Sequence, residues 1–296
     1  MKSLATFKRA LSRPQRAYTQ SIGKLNHYKS GMKYNPDGDD VMKRDWDTLI
    51  ILDACRYDYF NEAIDMPGDL EIVTSRGSTS TEFMRGNFSN KQLHDVVYIS
   101  ANGFYGQLRN EIGSEVYKHI QLYTEEWRDE YGITTNPKTV TQEAIKAHQE
   151  YPNKRLIVHY LQPHQPYLGP YGREQFDFGG DLRETINRSG VSIDDVRMAY
   201  RENLEFVLDE AKNLISEIDG KTIITSDHGE MLGERIGPFR FFGHFGGVYR
   251  EELVKVPWFT VDFDGRRDII VEEPETTSNI DQELIEQNLR ALGYKA

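Results

Sequence analysis

Carboxylate and imidazole side chains directly follow two of the most apolar runs of this chain. Asp227-His228 comes after the run 222–225, and Asp53 closes the run 47–53. Two carboxylates and one imidazole can bind one divalent cation and leave coordination positions open, as a catalytic metal site requires. Taken alone, Asp227-His228 is better explained as a strand-to-helix turn in which Asp227 caps the helix, so the metal interpretation depends on the rest of the chain.

One hydroxyl and two further imidazoles fall in loops that follow predicted strands. Thr79 begins a Thr-x-x-Glu pattern, which predicts a helix start, where backbone N–H groups favour an anion. His164 lies in a proline-rich loop after the apolar run 155–161, and His244 lies in a loop rich in glycine and phenylalanine. Metal coordination can activate a threonine hydroxyl, and histidines can bind the oxygens of a transferred phosphoryl group or protonate a leaving oxygen. Each residue alone also has an ordinary role, as a helix cap or a loop histidine.

The elements that would position these side chains alternate between strand and helix. The predicted strands are at 47–53, 70–74, 95–101, 155–161, 222–225 and 256–263, and the predicted helices begin near 56 and 79 and occupy 139–150, 193–218 and 281–292. Residues 102–137 are expected to form loop and short helix, and residues 168–190, rich in glycine and charge, are expected to form an excursion. Such alternation is typical of an α/β fold with a mainly parallel sheet covered on both faces. Open sheets of this kind bind ligands at the carboxyl ends of their strands, where the candidate residues fall.

The composition excludes several functional classes. The chain has 296 residues and a formal net charge of −11, which argues against nucleic-acid binding because that needs a basic face. Its one cysteine, Cys55, excludes an internal disulfide. No apolar run reaches the length of a membrane span, and the N-terminus has no apolar secretory segment. We therefore expect a soluble, cytoplasmic protein, and the sequence predicts no oligomeric state.

The beginning of the chain differs in charge from the rest. Residues 1–44 hold ten Lys or Arg and three acidic residues, a net charge of +7, and the remainder carries −18. We expect 1–44 to be a basic N-terminal extension and 45–296 to be one domain. Three interpretations of the extension remain open: peripheral contact with an anionic membrane surface, a targeting peptide, or an arm that packs on the acidic body of its own chain.

Several short motifs resemble the alkaline phosphatase superfamily, in its sulfatase-like branch. The specific match is SDHGEMLGE at 226–234, which resembles the SDHGE-x-LGE motif of that branch. Weaker resemblances are PHQPY at 163–167, GH at 243–244, VPW at 256–258 and LRALGY at 289–294. The resemblance covers roughly 47–294, and it implies that 45–296 is a catalytic domain with an α/β/α sandwich fold around a central, mainly parallel sheet.

The resemblance also implies roles for the candidate residues. It makes Asp53, Thr79, Asp227 and His228 the ligands of one divalent metal ion, for which zinc, manganese, magnesium or calcium fits. It makes Thr79 the nucleophile, as in the phosphoethanolamine and phosphoglycerol transferases, with His164 and His244 on the substrate side. The sequence therefore predicts a metal-dependent hydrolase or transferase that acts on an anionic substrate, a phosphodiester or phosphomonoester, through a covalent threonine intermediate.

The chain departs from its relatives in two motifs. Neither Cys55 nor Ser78 begins the Cys/Ser-x-Pro/Ala-x-Arg motif from which many sulfatases make formylglycine, and Tyr160 stands four residues before His164, where two-metal relatives have the Asp of an Asp-x-x-x-His pair. His159 is a substitute ligand or a core residue. Two alternatives therefore stay open: a sulfatase with an atypical nucleophile, and a non-catalytic member that binds anions or partners.

Overall fold

A central sheet of seven strands carries the candidate residues. We describe the chain from a computed structural model, which covers residues 14–123, 134–178, 180–275 and 282–291. Its strands are β1 (Thr48–Asp53), β2 (Gly68–Thr74), β3 (Gln92–Ser100), β4 (Glu115–Gln121), β5 (Arg155–Pro163), β6 (Thr222–Ser226), β7 (Met231–Ile236), β8 (Phe239–Gly243) and β9 (Lys255–Val261). Its helices are α1 (Pro14–Ser30), α2 (Tyr57–Ala63), α3 (Ser80–Phe88), α4 (Phe104–Leu108), α5 (Pro137–Glu150), α6 (Pro170–Gln175), α7 (Leu182–Ser189), α8 (Ile193–Glu217), α9 (Glu251–Val254) and α10 (Gln282–Ala291).

The strand order of the sheet is β2-β9-β6-β1-β5-β3-β4. Strand β1 runs parallel to β5 and β6, and β3 runs parallel to β5 and β4. Only β9 is reversed, since it pairs antiparallel with both β6 and β2. The carboxyl ends of β1, β3, β5 and β6 therefore meet at one edge, as the sequence predicts.

Helices cover the sheet on both faces. Helices α2, α5 and α8 pack in one group, and α3, α4 and α10 pack in another. Strand β1 is buried along its whole length because it lies between two parallel neighbours and two helical layers. The prediction of an α/β/α sandwich with a mainly parallel sheet is confirmed.

Three segments differ from the expectations from sequence. The edge strand β4 lies in the stretch 102–137, which the sequence suggests is loop and short helix; residues 124–133 of that stretch lie outside the described residues. The stretch 168–190 contains the two short helices α6 and α7. The Asp227-His228 motif is followed by the two-stranded hairpin β7-β8, so the alternative of a strand-to-helix turn is wrong.

The N-terminal extension is described from residue 14 onward, and residues 1–13 lie outside the described part. Helix α1 belongs to this extension and packs against the loop that follows β8. Within the described ranges, none of the helices combines the length and apolar character needed to cross a membrane.

Candidate active site

Four strands deliver polar side chains to the same edge of the sheet. Asp53 ends β1, Asp227 follows β6, His164 follows β5, and Asn102 follows β3. All four are at least 96% buried, which excludes water from the edge. Charged groups in such a position interact strongly, because little solvent screens them.

Asp53, Asp227 and His228 form a compact cluster with no solvent exposure. The Nε2 atom of His228 lies 3.6 Å from Asp53 Oδ1 and 3.5 Å from Asp227 Oδ2. His228 Nδ1 lies 2.8 Å from the carbonyl oxygen of Gly229, which can only accept, so Nδ1 carries the proton and the lone pair of Nε2 faces the carboxylates. Burial lowers the pKa of His228 and so favours the neutral form, which is the form that binds metals. The sequence-predicted trio is therefore brought together as a donor set that fits a divalent cation.

A fourth group, the imidazole of His159, points into the same cluster from β5. Its ligand atom and those of Asp53 and Asp227 all lie within 4.8 Å of one another. Its Nε2 atom is buried and has no hydrogen-bond partner among the described residues, while Nδ1 lies 2.8 Å from the Tyr98 hydroxyl. Burial lowers the pKa of His159 to about 4, so the ring is neutral at neutral pH. An unpartnered neutral nitrogen beside two carboxylates is a further observation in favour of a cation at this place.

The hydroxyl that reaches this cluster is that of Ser80 and not that of Thr79. Ser80 Oγ donates to Asp227 Oδ2 at 2.6 Å and lies 3.3 Å from His228 Nε2. Thr79 Oγ1 instead lies 3.0 Å from Thr81 Oγ1 and accepts from the backbone N–H of Glu82 as the cap of α3. In the part of the chain that the structure describes, no hydrogen bond joins Thr79 to the cluster. The predicted helix start is correct, but the residue presented to the candidate ligands is the next one along the chain.

Asn102 is a site residue that the sequence analysis missed. Its amide nitrogen donates to Asp53 Oδ2 at 2.7 Å and lies 3.3 Å from Ser80 Oγ. The amide thus fixes the orientation of one carboxylate and contacts the hydroxyl. The signal was its place directly after an apolar strand, which is the same signal that identified Asp53 and Asp227.

His164 and His244 lie together on the open side of the cluster, with Glu230 between them. Their ring centroids are 5.4 Å apart, and His244 Nδ1 is 3.1 Å from Glu230 Oε1. One ligand atom from each of the three residues falls within 4.8 Å of the others. Burial lowers the pKa of both histidines to about 4 and raises the pKa of Glu230 to about 7. Glu230 belongs to the SDHGE motif, and sequence reasoning assigned it no role.

The turn after β1 holds this arrangement in place. Ala54 adopts a left-handed backbone with φ of 61°, which is uncommon for a residue other than glycine. Its N–H donates to Asp227 Oδ1 at 3.1 Å, and its carbonyl accepts from the Tyr200 hydroxyl at 2.7 Å. The next N–H, of Cys55, donates to Ser226 Oγ at 2.8 Å. The turn therefore joins the ends of β1 and β6 through hydrogen bonds to side chains.

A cavity of about 590 Å³ lies against the two histidines. Thr79, His164, Glu230 and His244 line it, together with residues of α1 and α7 and of the segment 241–246. Its volume is within the range of small-molecule sites. A substrate in this cavity would therefore meet the histidine pair.

The comparisons with known proteins were made on both sequence and structure. No family model and no curated protein sequence matches the chain. The fold is similar to that of the integral membrane protein lipooligosaccharide phosphoethanolamine transferase A (EptA) from Neisseria meningitidis, at 15% identity over 87% of this chain and 58% of that one, with a TM-score of 0.50. It is also similar to the C-terminal periplasmic domain of phosphoethanolamine transferase EptC from Campylobacter jejuni, at 15% identity over 72% and 77% of the two chains, with a TM-score of 0.49. A phosphonate monoester hydrolase from Silicibacter pomeroyi matches at 12% identity over 83% and 72%, with a TM-score of 0.43.

These likenesses correct one expectation and confirm another. The expectation of a cytoplasmic protein is contradicted, because the fold occurs in an integral membrane protein, EptA. At such identities the likeness concerns the fold alone. The fold that the resemblance implies is confirmed, because the chain shares its fold with the phosphoethanolamine transferase EptA.

Proposed function

We propose that this chain is a metal-dependent, sulfatase-like enzyme that hydrolyses or transfers a phosphate ester, with Ser80 as its nucleophile. The observation that carries the proposal is the position of Ser80 Oγ, at the first turn of α3 and 2.6 Å from Asp227 Oδ2. A hydroxyl beside an acceptor, a metal-type donor set and a helix N-terminus is suited to attack on an anionic phosphorus centre. The solved structures with the same fold include phosphoethanolamine transferases, which is consistent with this chemistry.

Asp53, Asp227, His228 and Ser80 would hold the metal ion, for which zinc, manganese, magnesium or calcium is suitable. When bound, the ion would lower the pKa of the coordinated hydroxyl and offset negative charge on the phosphoryl oxygens. Asn102 keeps Asp53 in position through its amide hydrogen bond. Thr79, which sequence analysis assigned as both ligand and nucleophile, is assigned here to the helix cap.

The reaction then follows from the groups that face Ser80. Ser80 Oγ attacks phosphorus, and its proton passes to the Asp227 carboxylate that already accepts it in a hydrogen bond. The bond between phosphorus and the leaving oxygen breaks, and His164 or His244 protonates that oxygen. A phosphoryl anion between the two imidazoles favours their charged forms, and Glu230 lies within reach of His244 Nδ1 to supply a proton. Water or an acceptor alcohol then attacks the phosphoserine and gives its proton to the histidine that protonated the leaving oxygen. The bond between phosphorus and Ser80 Oγ breaks, and Asp227 returns its proton to Oγ.

A metal-supplemented activity panel tests the proposal. The protein is treated with a chelator, zinc, manganese, magnesium or calcium is added back, and hydrolysis of aryl phosphomonoester, phosphodiester and sulfate substrates is measured. We expect turnover of a phosphate ester, and Ser80→Ala should reduce it by about 10³-fold or more. Mass spectrometry after rapid quenching should find one phosphoryl group on Ser80.

The matched control is Thr79→Ala, which removes the neighbouring hydroxyl and should leave turnover within about threefold of the parent. Retained activity in Ser80→Ala combined with its loss in Thr79→Ala would reverse the assignment of the nucleophile. Turnover of the sulfate ester alone would replace the proposal with the sulfatase alternative. Binding of phosphate without turnover of any substrate would favour the non-catalytic alternative.

A further inference from the structure

Helix α1 contacts the loop that carries His244, with no side chain between the two backbones. Gly23 of α1 is buried, and a Cβ atom built on it would overlap the carbonyl oxygen of Gly246. A Cβ atom built on Gly247, whose φ is +73°, would overlap the backbone of Gly23 in turn. Neither glycine therefore has room for a Cβ atom. Asn26 Nδ2 donates to Gly247 O at 2.7 Å. The position of the loop 243–247 therefore depends on α1.

The same helix contacts the segment that carries Ser80. His27 Nε2 lies 2.6 Å from Glu82 Oε1, and the Glu82 side chain is only 3% exposed. The second oxygen of Glu82 accepts from the backbone N–H of Ser78 at 3.0 Å. Glu82 thus closes a loop of five residues with Ser80 at its centre. The Ser78 hydroxyl also lies 2.9 Å from the carbonyl oxygen of Phe245, so this loop and the His244 loop are joined.

Helix α1 also forms part of the wall of the cavity that the two histidines line. Arg16, Thr19 and Gln20 reach the cavity from one side, and Asp181 and Arg183 of the α7 region reach it from another. The helix ends at Ser30, 50 residues before Ser80 and more than 200 before His244 in the sequence. Its contacts are therefore made only in the folded chain.

We propose that α1 is a positioning element of the active site, in which Gly23 sets the place of the His244 loop and His27 sets the place of the Ser80 loop. Gly23 and His27 are positioning residues, because neither faces the cluster of Asp53, Asp227 and His228. The helix acts on the distance between the hydroxyl that attacks phosphorus and the imidazoles that protonate the leaving oxygen. An error of about 1 Å in such a distance can lower a rate by about 10²-fold. This inference rests on the proposed function only for its kinetic measurement.

The test compares four variants of the full chain: Gly23→Ala, His27→Ala, His27→Gln and Lys24→Ala. Alanine favours a helix more than glycine does. Gly23→Ala should therefore destabilise the protein only if its added Cβ atom displaces the backbone at Gly246. The glutamine amide can donate to Glu82 and should rescue the loss caused by His27→Ala. Lys24 is exposed on the same helix and is the matched control.

Two measurements are made on each variant. Hydrogen exchange followed by mass spectrometry reports the protection of 78–82 and 243–247, and steady-state kinetics on the phosphate ester separates kcat from KM. We expect Gly23→Ala and His27→Ala to raise exchange in both segments by about tenfold and to lower kcat by about tenfold or more, with a smaller change in KM. His27→Gln should restore both quantities most of the way, and Lys24→Ala should match the parent.

Unchanged exchange in both segments for Gly23→Ala and His27→Ala would overturn the inference. So would a lower melting temperature with unchanged kcat below it, because that result means a purely structural role for α1. If the parent protein turns over no ester at all, the proposed function fails, while the exchange measurement still decides whether α1 holds the two loops.

Discussion

At the start of α3, the adjacent hydroxyl groups of Thr79 and Ser80 have different hydrogen-bond partners. The side chain of a helix cap turns back to accept a backbone N–H, and Thr79 does this with Glu82. Ser80, the next residue, is the first residue of the helix, and its side chain does not cap it. The Ser80 hydroxyl can therefore face Asp227. The role of each hydroxyl follows from its position relative to the helix start.

We therefore expect Thr79→Ala to lower the free energy of unfolding by about 1 kcal/mol, which is typical for loss of a threonine cap. Thr79→Ser should retain the cap and the stability. Urea unfolding at neutral pH measures both variants. A Thr79→Ala variant as stable as its parent would mean that the Thr79 hydroxyl does not cap the helix.

His119 predicts a loss of stability in acid. It is 5% exposed, neither ring nitrogen has a hydrogen-bond partner among the described residues, and Tyr98, Tyr105 and Tyr123 surround it. Burial, with a smaller effect of Arg109, lowers its pKa from 6.5 to about 3. The unfolded chain binds a proton below pH 6.5 and the folded chain does not, so stability is complete above that pH and falls as the pH decreases toward 3.

Between pH 7 and pH 5 this effect should remove about 2 kcal/mol from the free energy of unfolding. His119→Phe cannot be protonated and should lose about 2 kcal/mol less over the same interval. Urea midpoints at the two pH values give the difference, and the other buried histidines contribute equally to both proteins. Parallel pH dependence of parent and variant would show that His119 does not titrate as its burial requires.

At the scale of elements, Arg56 connects the turn after β1 to the hairpin β7-β8. Its guanidinium makes two hydrogen bonds to the Asp58 carboxylate, at 2.9 and 2.6 Å, and one to Glu234 Oε1 at 2.7 Å. A fourth hydrogen bond, at 3.3 Å, reaches the carbonyl oxygen of Glu230. The guanidinium group of Arg56 thus fixes the position of the hairpin relative to Asp53 and His228.

Arg56→Lys keeps the charge but cannot make these bonds together. We expect it to lower the free energy of unfolding by about 2–4 kcal/mol, because one ammonium group cannot replace the hydrogen bonds of the buried guanidinium to Glu234 and to the Glu230 carbonyl oxygen. Arg85→Lys, at a surface pair with Glu111, is the control and should change stability by about 0.5 kcal/mol or less. Thermal or urea unfolding of the two variants makes the comparison. Equal losses in both variants would mean that the hairpin does not depend on Arg56.

The sequence predicts those elements whose apolar pattern is complete within the element itself. The run at 47–53 and the long helical repeat at 193–218 correspond to β1 and α8, because both are buried against the core over most of their length. Strand β4 was not predicted, because it is an edge strand with only two buried residues. Its alternation of apolar and polar residues is therefore weak. The direction of β9 could not be predicted, since an apolar run has the same pattern in a parallel and an antiparallel pair.

The site was predictable to the level of strand ends and motif residues. Asp53, Asp227, His228, His164 and His244 could be assigned because each lies in or beside a motif, and the structure brings them to one edge. Which hydroxyl faces Asp227 depends on the exact residue at which α3 begins. The run of four hydroxyl residues at 78–81 does not show that Ser80, and not Thr79, takes this position. The contacts of α1 could not be predicted, because they join residues 55 and 221 positions apart in the sequence.

At the scale of the whole molecule, a bound cation should stabilise the fold. The ligand atoms of Asp53 and Asp227 lie within 4.8 Å of one another in a fully buried place, which is unfavourable for two carboxylates without a cation. A ligand that binds only the folded state at a concentration 100 times its Kd adds about 2.7 kcal/mol of stability. For a domain of this size that corresponds to a rise in Tm of about 5–10 °C.

Thermal unfolding of chelator-treated protein, with and without an added divalent cation, measures this rise. Asp53→Asn removes one ligand of the cluster and should abolish most of the rise, whereas the exposed carboxylate variant Asp69→Asn should keep it in full. Glu230→Gln tests the other group that can hold a cation, the His164–Glu230–His244 trio. A rise that survives Asp53→Asn and disappears in Glu230→Gln would move the cation to that trio, and Ser80 would then lose its proposed activation by a metal.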